Sequence, residues 1–343
     1  MRIPKFLLLA AAWTAVVATA SPLQAQTGAD FYNGKTVTYI VATSPGGGYD
    51  LYGRLITEFM QRYLPGSTFV VKNVPGAGHL IGTNAIYGSK ADGLTIGTFN
   101  TGLIYNQLIN QEAAKFDLTK MSWVGKAGTE PRVMLTATQS PIKTWEELMA
   151  QTTPVPFATS GPGASNYVEL HMLTNVLKAP IKILTGYNGN DDQLAMRRGE
   201  VIGGMGSRSS FDEFRKNGYG RYIVQIGGND KDVPQLLPLV KDPAGQQFIK
   251  LVQAQGDIAR LTAGPPGIPQ DRLDALRMAY RKAMEDKELQ ARALKLERPV
   301  EPLYGDDVLV KIKDALNQTP EIKAMLKGAL EVPAAKEGEK PAK

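Results

Sequence analysis

Between residues 35 and 100 the apolar positions change period in a regular order. Thr36-Val37-Thr38-Tyr39-Ile40-Val41-Ala42 is β-branched and nearly all apolar, which predicts a strand buried on both faces. The glycine turn Pro45-Gly46-Gly47-Gly48 breaks it, and from about Asp50 a helical stripe carries Leu51, Leu55, Phe59 and Tyr63. Phe69-Val70-Val71 predicts a second strand and Pro75-Gly76-Ala77-Gly78 a second turn. A helix from about His79 to Tyr87 follows, then a third strand at Leu94-Thr95-Ile96-Gly97. Strand, glycine turn, helix and strand in that order predict an open α/β sheet.

The same order restarts near Pro154. Val155-Pro156-Phe157-Ala158-Thr159 reads as a strand, Ser160-Gly161-Pro162-Gly163 as a glycine turn, and Ser165 to Leu177 as a helix carrying Val168, Met172 and Val176. Ile181-Lys182-Ile183-Leu184 and Val201-Ile202-Gly203-Gly204-Met205 are further strands, separated by Tyr187-Asn188-Gly189 and a helix through Ala195 and Met196. Two such units in tandem suggest two lobes of one architecture. After Gly256 and Gly264-Pro265-Pro266-Gly267-Ile268-Pro269, an amphipathic helix places Leu273, Leu276, Tyr280 and Met284 on one face. It reads as the chain crossing back to brace the first lobe, so that two crossings form a two-strand hinge. The expected division is 28–127 with 257–331 for lobe 1 and 128–256 for lobe 2.

The two ends read differently. Arg2 and Lys5 precede a short apolar run, Phe6 to Ala18, and small residues follow at Ala18-Thr19-Ala20 and Leu23-Gln24-Ala25. That is the pattern of a cleaved export leader, expected over residues 1–25. The run is shorter than the roughly 20 residues of a spanning helix. With no cysteine in the chain, neither a lipid-anchored cysteine, a disulfide nor a thiolate metal site is expected. The expected location is the periplasm. The last residues, 332–343, lack apolar periodicity and are expected to be a disordered tail.

Composition narrows the function classes. Loss of Arg2 and Lys5 with a leader lowers the formal net charge from +6 to +4, and no basic block gives a case for nucleic acid. The two histidines, His79 and His171, are far apart in sequence, so no histidine metal site is expected. Gly76-Ala77-Gly78-His79-Leu80-Ile81-Gly82 fits a G-x-G-x-x-x-G spacing used by some NADP-binding folds. No ribose-binding carboxylate or 2′-phosphate arginine stands about 20 residues on, however. No G-x-S-x-G elbow, P-loop or Ser-His-Asp set is present. An enzyme with a cofactor, such as a secreted NADP-dependent reductase, is the lesser alternative.

The glycine turns carry the positive reading. In open α/β sheets ligands bind beyond the carboxyl ends of strands, where first helical turns offer unpaired N–H groups and about half a positive charge. Gly46 to Gly48, Gly76 to Gly78 and Gly161 to Gly163 would give a carboxylate a ring of backbone donors. Each turn alone has a plainer explanation, since glycine is also how a strand reverses into a helix. Three together in an exported chain without a catalytic set favour binding.

At these turns the sequence resembles the solute-binding receptors of tripartite tricarboxylate transporters, the Bug receptors. The resemblance spans nearly the whole chain after the leader. It rests chiefly on Phe31-Tyr32-Asn33-Gly34-Lys35 to Asp50 and on Asn73-Val74-Pro75-Gly76-Ala77-Gly78 through Ala91-Asp92-Gly93-Leu94-Thr95. Weaker matches are Thr159 to Ser165, Gly199-Glu200-Val201 and Gly264 to Pro269. The resemblance implies a two-lobed periplasmic-binding-protein (Venus flytrap, type II-like) fold with a di- or tricarboxylate or related acid in the cleft; a monomer that closes without covalent chemistry is expected. It implies that the turns Gly46, Gly47, Gly48 and Pro75, Gly76, Ala77, Gly78 hold one carboxylate. Ser160, Gly163, Ala164, Ser165, Tyr187 and Asn188 would contribute from the second lobe. Partners would be the membrane transporter subunits, or a sensor kinase, and no cofactor is implied.

Three departures stand out. Tyr49 precedes Asp50 where the family has a small residue, which would suit an aromatic or longer acid. Leu184-Thr185-Gly186-Tyr187-Asn188-Gly189 replaces the usual Val-Pro-Tyr-x-Gly. Met205-Gly206-Ser207-Arg208 ends a strand with an arginine that is either a solvated charge or a bidentate partner for a distal carboxylate. Asp50 reads either as a first-turn or capping residue of its helix or as an acceptor for ligand. Tyr49, Asn100 and Tyr187 are candidate wall residues.

Overall fold

A computed structural model of the chain describes residues 28–296, 298 and 300–330, so the expected leader and the tail at 332–343 lie outside the described residues. The strands are β1 (Thr36–Val41), β2 (Thr68–Asn73), β3 (Thr95–Thr98), β4 (Ser122–Lys126), β5 (Arg132–Ala137) and β6 (Val155–Thr159). They continue with β7 (Ile181–Thr185), β8 (Gly203–Ser207), β9 (Gly220–Ile226), β10 (Leu261–Gly264) and β11 (Leu303–Tyr304). The helices are α1 (Gly48–Arg62), α2 (Leu80–Tyr87), α3 (Leu103–Leu108), α4 (Trp145–Met149), α5 (Ser165–Asn175) and α6 (Asp191–Arg198). The rest are α7 (Arg208–Lys216), α8 (Pro243–Asp257), α9 (Gln270–Glu285), α10 (Lys287–Lys295), α11 (Asp306–Leu316) and α12 (Pro320–Leu330).

The strands form two mixed sheets. One runs β11-β4-β10-β3-β1-β2 and the other β7-β6-β8-β5-β9. In the first, β1 to β3 are parallel and β10 lies antiparallel between β3 and β4. In the second, β6 to β8 are parallel and β5 lies antiparallel between β8 and β9. The tandem units of the sequence therefore share a strand order. In each, three parallel strands are extended by an antiparallel strand that enters after the chain has crossed from the other sheet. The near-continuous apolar run of β1 is explained by burial, with Val37, Tyr39, Ile40 and Val41 all in the interior.

The chain passes between the sheets at residues 127–131 and 257–260, and the two passages are hydrogen-bonded to each other. Ala127 N–H donates to Arg260 O (3.0 Å) and Glu130 N–H to Gly256 O (2.9 Å). Arg260 is fully buried here, with φ +59°. It donates from Nε to Glu130 Oε1 (3.1 Å) and from Nη2 to Ser209 Oγ (2.6 Å). Its guanidinium also lies 4.2 Å from the ring centroid of Tyr49 and 5.0 Å from that of Tyr52. One side chain thus touches both passages, the start of α7 and the start of α1. The last helix, α12, packs on α5 rather than on the first sheet, with Ile322 and Leu326 joining the same apolar cluster as Leu170 and Leu173. An amphipathic helix settles on whichever apolar face is open to it, and the sequence does not say which.

The turns after β2 and β6 meet face to face. At Gly78 (φ +60°) a Cβ would stand 2.2 Å from Ala164 N, and at Gly163 (φ +96°) one would stand 2.6 Å from Ala77 O. Only glycine allows two backbones this close, and here they belong to different sheets. Gly78→Ala is expected to cost about 1–3 kcal/mol more than Gly46→Ala in urea unfolding. Gly46 has φ +90° but would place its Cβ within 4 Å of nothing, so it isolates the backbone term. Equal costs would mean that the two turns are not pressed together in solution.

Candidate functional site

The carboxyl ends of β1, β6, β7 and β8 converge on a cavity of about 110 Å³ between the sheets, where open α/β folds place their ligands. The first unit lines it with Thr43, Gly47, Gly48, Tyr49, His79 and Asn100. The second lines it with Arg132, Ser160, Ala164, Ser165, Asn166, Tyr187, Asp192, Ser207, Ser210 and Phe211, among others.

Helices α1 and α5 point their amino ends into this space from different sheets. Helix α1 starts at Gly48 after Gly47, and α5 starts at Ser165 after Ala164. Neither has a side-chain cap. The first-turn N–H groups of an uncapped helix need an acceptor, and a ligand oxygen can supply it. Asp50 is the third residue of α1, 3 % exposed, and its oxygens are committed within the protein. Gly46 N–H (3.0 Å) and Arg54 Nε (3.0 Å) donate to Oδ2, and Asn73 Nδ2 (2.9 Å) donates to Oδ1. Burial opposes its ionised form, but the hydrogen bonds from Arg54, Gly46 and Asn73 outweigh it and hold the carboxyl below its ordinary range. Asp50 therefore shapes the Gly46–Gly48 turn from behind.

A polar lattice joins the units beside the cavity. Ser165 Oγ donates to Asn100 Oδ1 (2.9 Å), and Asn100 Nδ2 donates to Gly78 O (3.0 Å). Gln255 Nε2 donates to Ser165 Oγ and to Thr101 Oγ1, both at 2.9 Å, while Asn106 Nδ2 donates to Gly163 O (3.1 Å). The Asn100 amide and the Ser165 hydroxyl are thus occupied by protein partners, which leaves the backbone of α5 as the donor on that side.

Charge in the cavity is almost entirely cancelled. Arg132, at the start of β5, is held by Glu169 on α5 through Nε–Oε1 (3.0 Å) and Nη2–Oε2 (2.6 Å), and its Nη1 donates to Ser207 Oγ (3.0 Å). Both side chains are buried, so each charge depends on the other. Burial, followed by the nearby Arg260, pushes the His79 imidazole down to about 3, so it stays neutral through the physiological range. His79 packs edge-on against Tyr49 at 5.2 Å. Asp192, in the first turn of α6, is different. It is 8 % exposed and lines the cavity, and its carboxylate accepts from backbone N–H groups, those of Gln193 (2.8 Å) and of Asp192 itself, with no cation paired to it among the described residues. Burial pushes it up to about 7.

Of the residues expected from the sequence, Gly47, Gly48, Tyr49, Asn100, Ser160, Ala164, Ser165, Tyr187 and Ser207 line the cavity. Gly46, Asp50, Pro75, Gly76, Ala77, Gly78, Gly163 and Asn188 stand behind or beside it; the two glycine turns at 76–78 and 161–163 face each other. Arg208 turns away. It lines a separate groove with Glu130 and Arg298 and pairs with Asp212 and Asp230, each at 3.4 Å. Strand β8 ends at Ser207 and α7 begins at Arg208, and these adjacent side chains line different cavities. The arginine of the cleft is Arg132, for which the sequence offered one signal, a charge opening an otherwise apolar strand. Asp192 gave no signal distinct from Asp191 beside it.

Two outcomes follow from these charges. Glu169→Gln strands a buried guanidinium and is expected to cost about 3–5 kcal/mol in denaturant unfolding; a cost below about 1 kcal/mol would show the pair to be uncoupled. For Asp192 the folded value lies above the ordinary 3.8, so the folded state holds the proton more tightly. Its contribution to stability is complete below that ordinary value and is lost as pH rises through about 7. The unliganded Asp192→Asn protein should therefore gain over wild type by about 1.4 kcal/mol per pH unit across this window. A gain in melting temperature that is the same at pH 5 and pH 8 would contradict this.

Comparison with known proteins gives the relatives of this site. The family model described as a tripartite tricarboxylate transporter family receptor matches residues 53–323. The protein BugT of Bordetella pertussis is 31% identical over 172 residues, 47% of this chain and 50% of that protein. Among solved structures, the periplasmic binding protein BugD superposes with a TM-score of 0.72 at 19% identity, covering 86% of this chain and 97% of that one. MatC of Rhodopseudomonas palustris, solved with bound malate, gives 0.68 at 20% identity, covering 86% and 99%. Both share the two-lobed periplasmic binding protein fold with this chain. Among the described residues no helix is long and apolar enough to cross a membrane.

Proposed function

The chain belongs to the tripartite tricarboxylate transporter receptor family, and on that premise we propose that it captures a small carboxylate between its lobes in the periplasm and presents it to membrane transporter subunits. One observation carries this reading: the uncapped amino ends of α1 and α5 open into the same cavity from opposite sheets. A carboxylate there takes backbone donors from Gly48 and Tyr49 on one side and from Ser165 and Asn166 on the other, and it needs no basic side chain. Because the two sets belong to different sheets, the anion itself supplies the free energy that favours the closed arrangement. The units turn about the passages at 127–131 and 257–260. No bond is made or broken, and the ligand leaves as it arrived. The malate bound by MatC supports a small acid as the ligand class.

A thermal-shift screen of residues 26–343 tests this. The panel is dicarboxylates of increasing length, citrate, aromatic acids, amino acids and NADP. At a hundredfold excess over Kd a ligand stabilises by about 2.7 kcal/mol, a shift of several degrees. A shift confined to one class of acid is expected. A shift with NADP alone would overturn the reading.

A further inference from the structure

The cleft holds one acidic group that no cation among the described residues answers. Arg132 faces the cavity but is spent on Glu169, and His79 is neutral. Tyr49 and Tyr187 bring hydroxyls without charge. Asp192 alone combines burial, a place on the cavity wall and the lack of a cationic partner: among the described residues no lysine, arginine or histidine pairs with it. The charge that acts on it most is that of Asp191, of the same sign and on the same helix turn. Its Oδ1 accepts from the Gln193 N–H, and the Gln193 side chain is itself used to donate to Ser210 O (2.8 Å). A second carboxylate at this end of the cavity would face an anion rather than a donor. A protonated amine would meet a buried acceptor that lacks only a cation.

We propose that Asp192 is a specificity-determining residue that selects a ligand carrying a protonated amine as well as a carboxylate, the carboxylate lying against the amino ends of α1 and α5 and the ammonium donating to Asp192. This rests on the carboxylate reading above and deepens it from acid to amino acid. The ion pair forms only with Asp192 ionised. Since that group titrates near 7 in the free protein, binding expels a proton at lower pH. Affinity therefore rises about tenfold per unit as pH climbs toward neutrality and levels off above it. A protonated Asp192 that donated to a ligand carboxylate would give the opposite slope.

The test uses matched pairs that differ only in the amine: L-aspartate and succinate, L-glutamate and glutarate, L-alanine and propionate, 4-aminobutyrate and butyrate. Titration calorimetry on the wild-type protein and on Asp192→Asn, at pH 6 and pH 8, gives both readouts. At least one amine-bearing acid is expected to bind about 100-fold more tightly than its partner at pH 8 and to lose that margin in Asp192→Asn, the usual scale for a buried charge left without its mate. Its wild-type affinity should fall on going to pH 6. Asparagine preserves shape and can donate a hydrogen bond, so a variant that keeps or improves binding would identify Asp192 as a neutral donor and overturn the proposal. Equal affinity for acids with and without the amine would overturn it too, leaving the carboxylate reading intact. If no member of any pair binds, the amine selection fails, and the carboxylate reading stands or falls with the citrate and aromatic acids of the thermal-shift panel.

Discussion

Burying a guanidinium removes a strongly hydrated charge from water, at a cost of several kcal/mol unless a carboxylate is buried in contact with it. Arg260 meets that condition with Glu130, and the place where it does so orders much of the rest. Glu130 belongs to the first passage between the sheets and Arg260 to the second, so the ion pair ties the two passages to each other. Ser209 brings the start of α7 to the same guanidinium, and Tyr49 brings the start of α1. The cleft wall and the chain crossings are therefore positioned by one buried cation. Tyr49 packs against both that cation and His79 and so forms part of the wall.

The same economy of charge runs through the cleft. An anion can be held by fixed backbone dipoles with little selectivity for what else it carries. Free basic side chains would strengthen the grip on any acid. Here the basic groups are matched internally, and the recognition of one carboxylate is left to the α1 and α5 amino ends. Selectivity then falls to the groups at the far wall, where small changes in side chain alter the chemistry accepted without disturbing the fold.

Much of the architecture was legible along the chain because strand burial and helical stripes are local patterns. The runs at 36–42, 155–159 and 181–184 became β1, β6 and β7 with ends shifted by a residue or so, and the glycine turns fell at the cleft. The strands β4, β5, β9, β10 and β11 were missed. Their partners come from distant sequence, as β10 beside β4 and β8 beside β5, and a lone apolar run does not announce such a pairing. The site was legible for its backbone and much less so for its charges. Arg208 drew attention and Arg132 did not, because the direction of a side chain at a strand end and the presence of Glu169 behind it are settled by packing. Asp191 and Asp192 are alike as letters; only the fold buries the second and exposes the first.

The interleaved strand order also bears on how the chain must acquire its shape during synthesis. Strands β3 and β4 emerge close together, yet they are not neighbours in the finished sheet, because β10 fits between them and pairs Ala263 with Gly97. Until the ribosome has passed Gly264, the first sheet has an open seam along β3 and β4, and the second sheet has all its strands before the first does. Such long-range closure raises contact order and slows folding. It also leaves unpaired strand edges exposed for a time, the kind of surface on which incomplete chains associate. A nascent chain of this topology therefore stays unfinished for most of its translation.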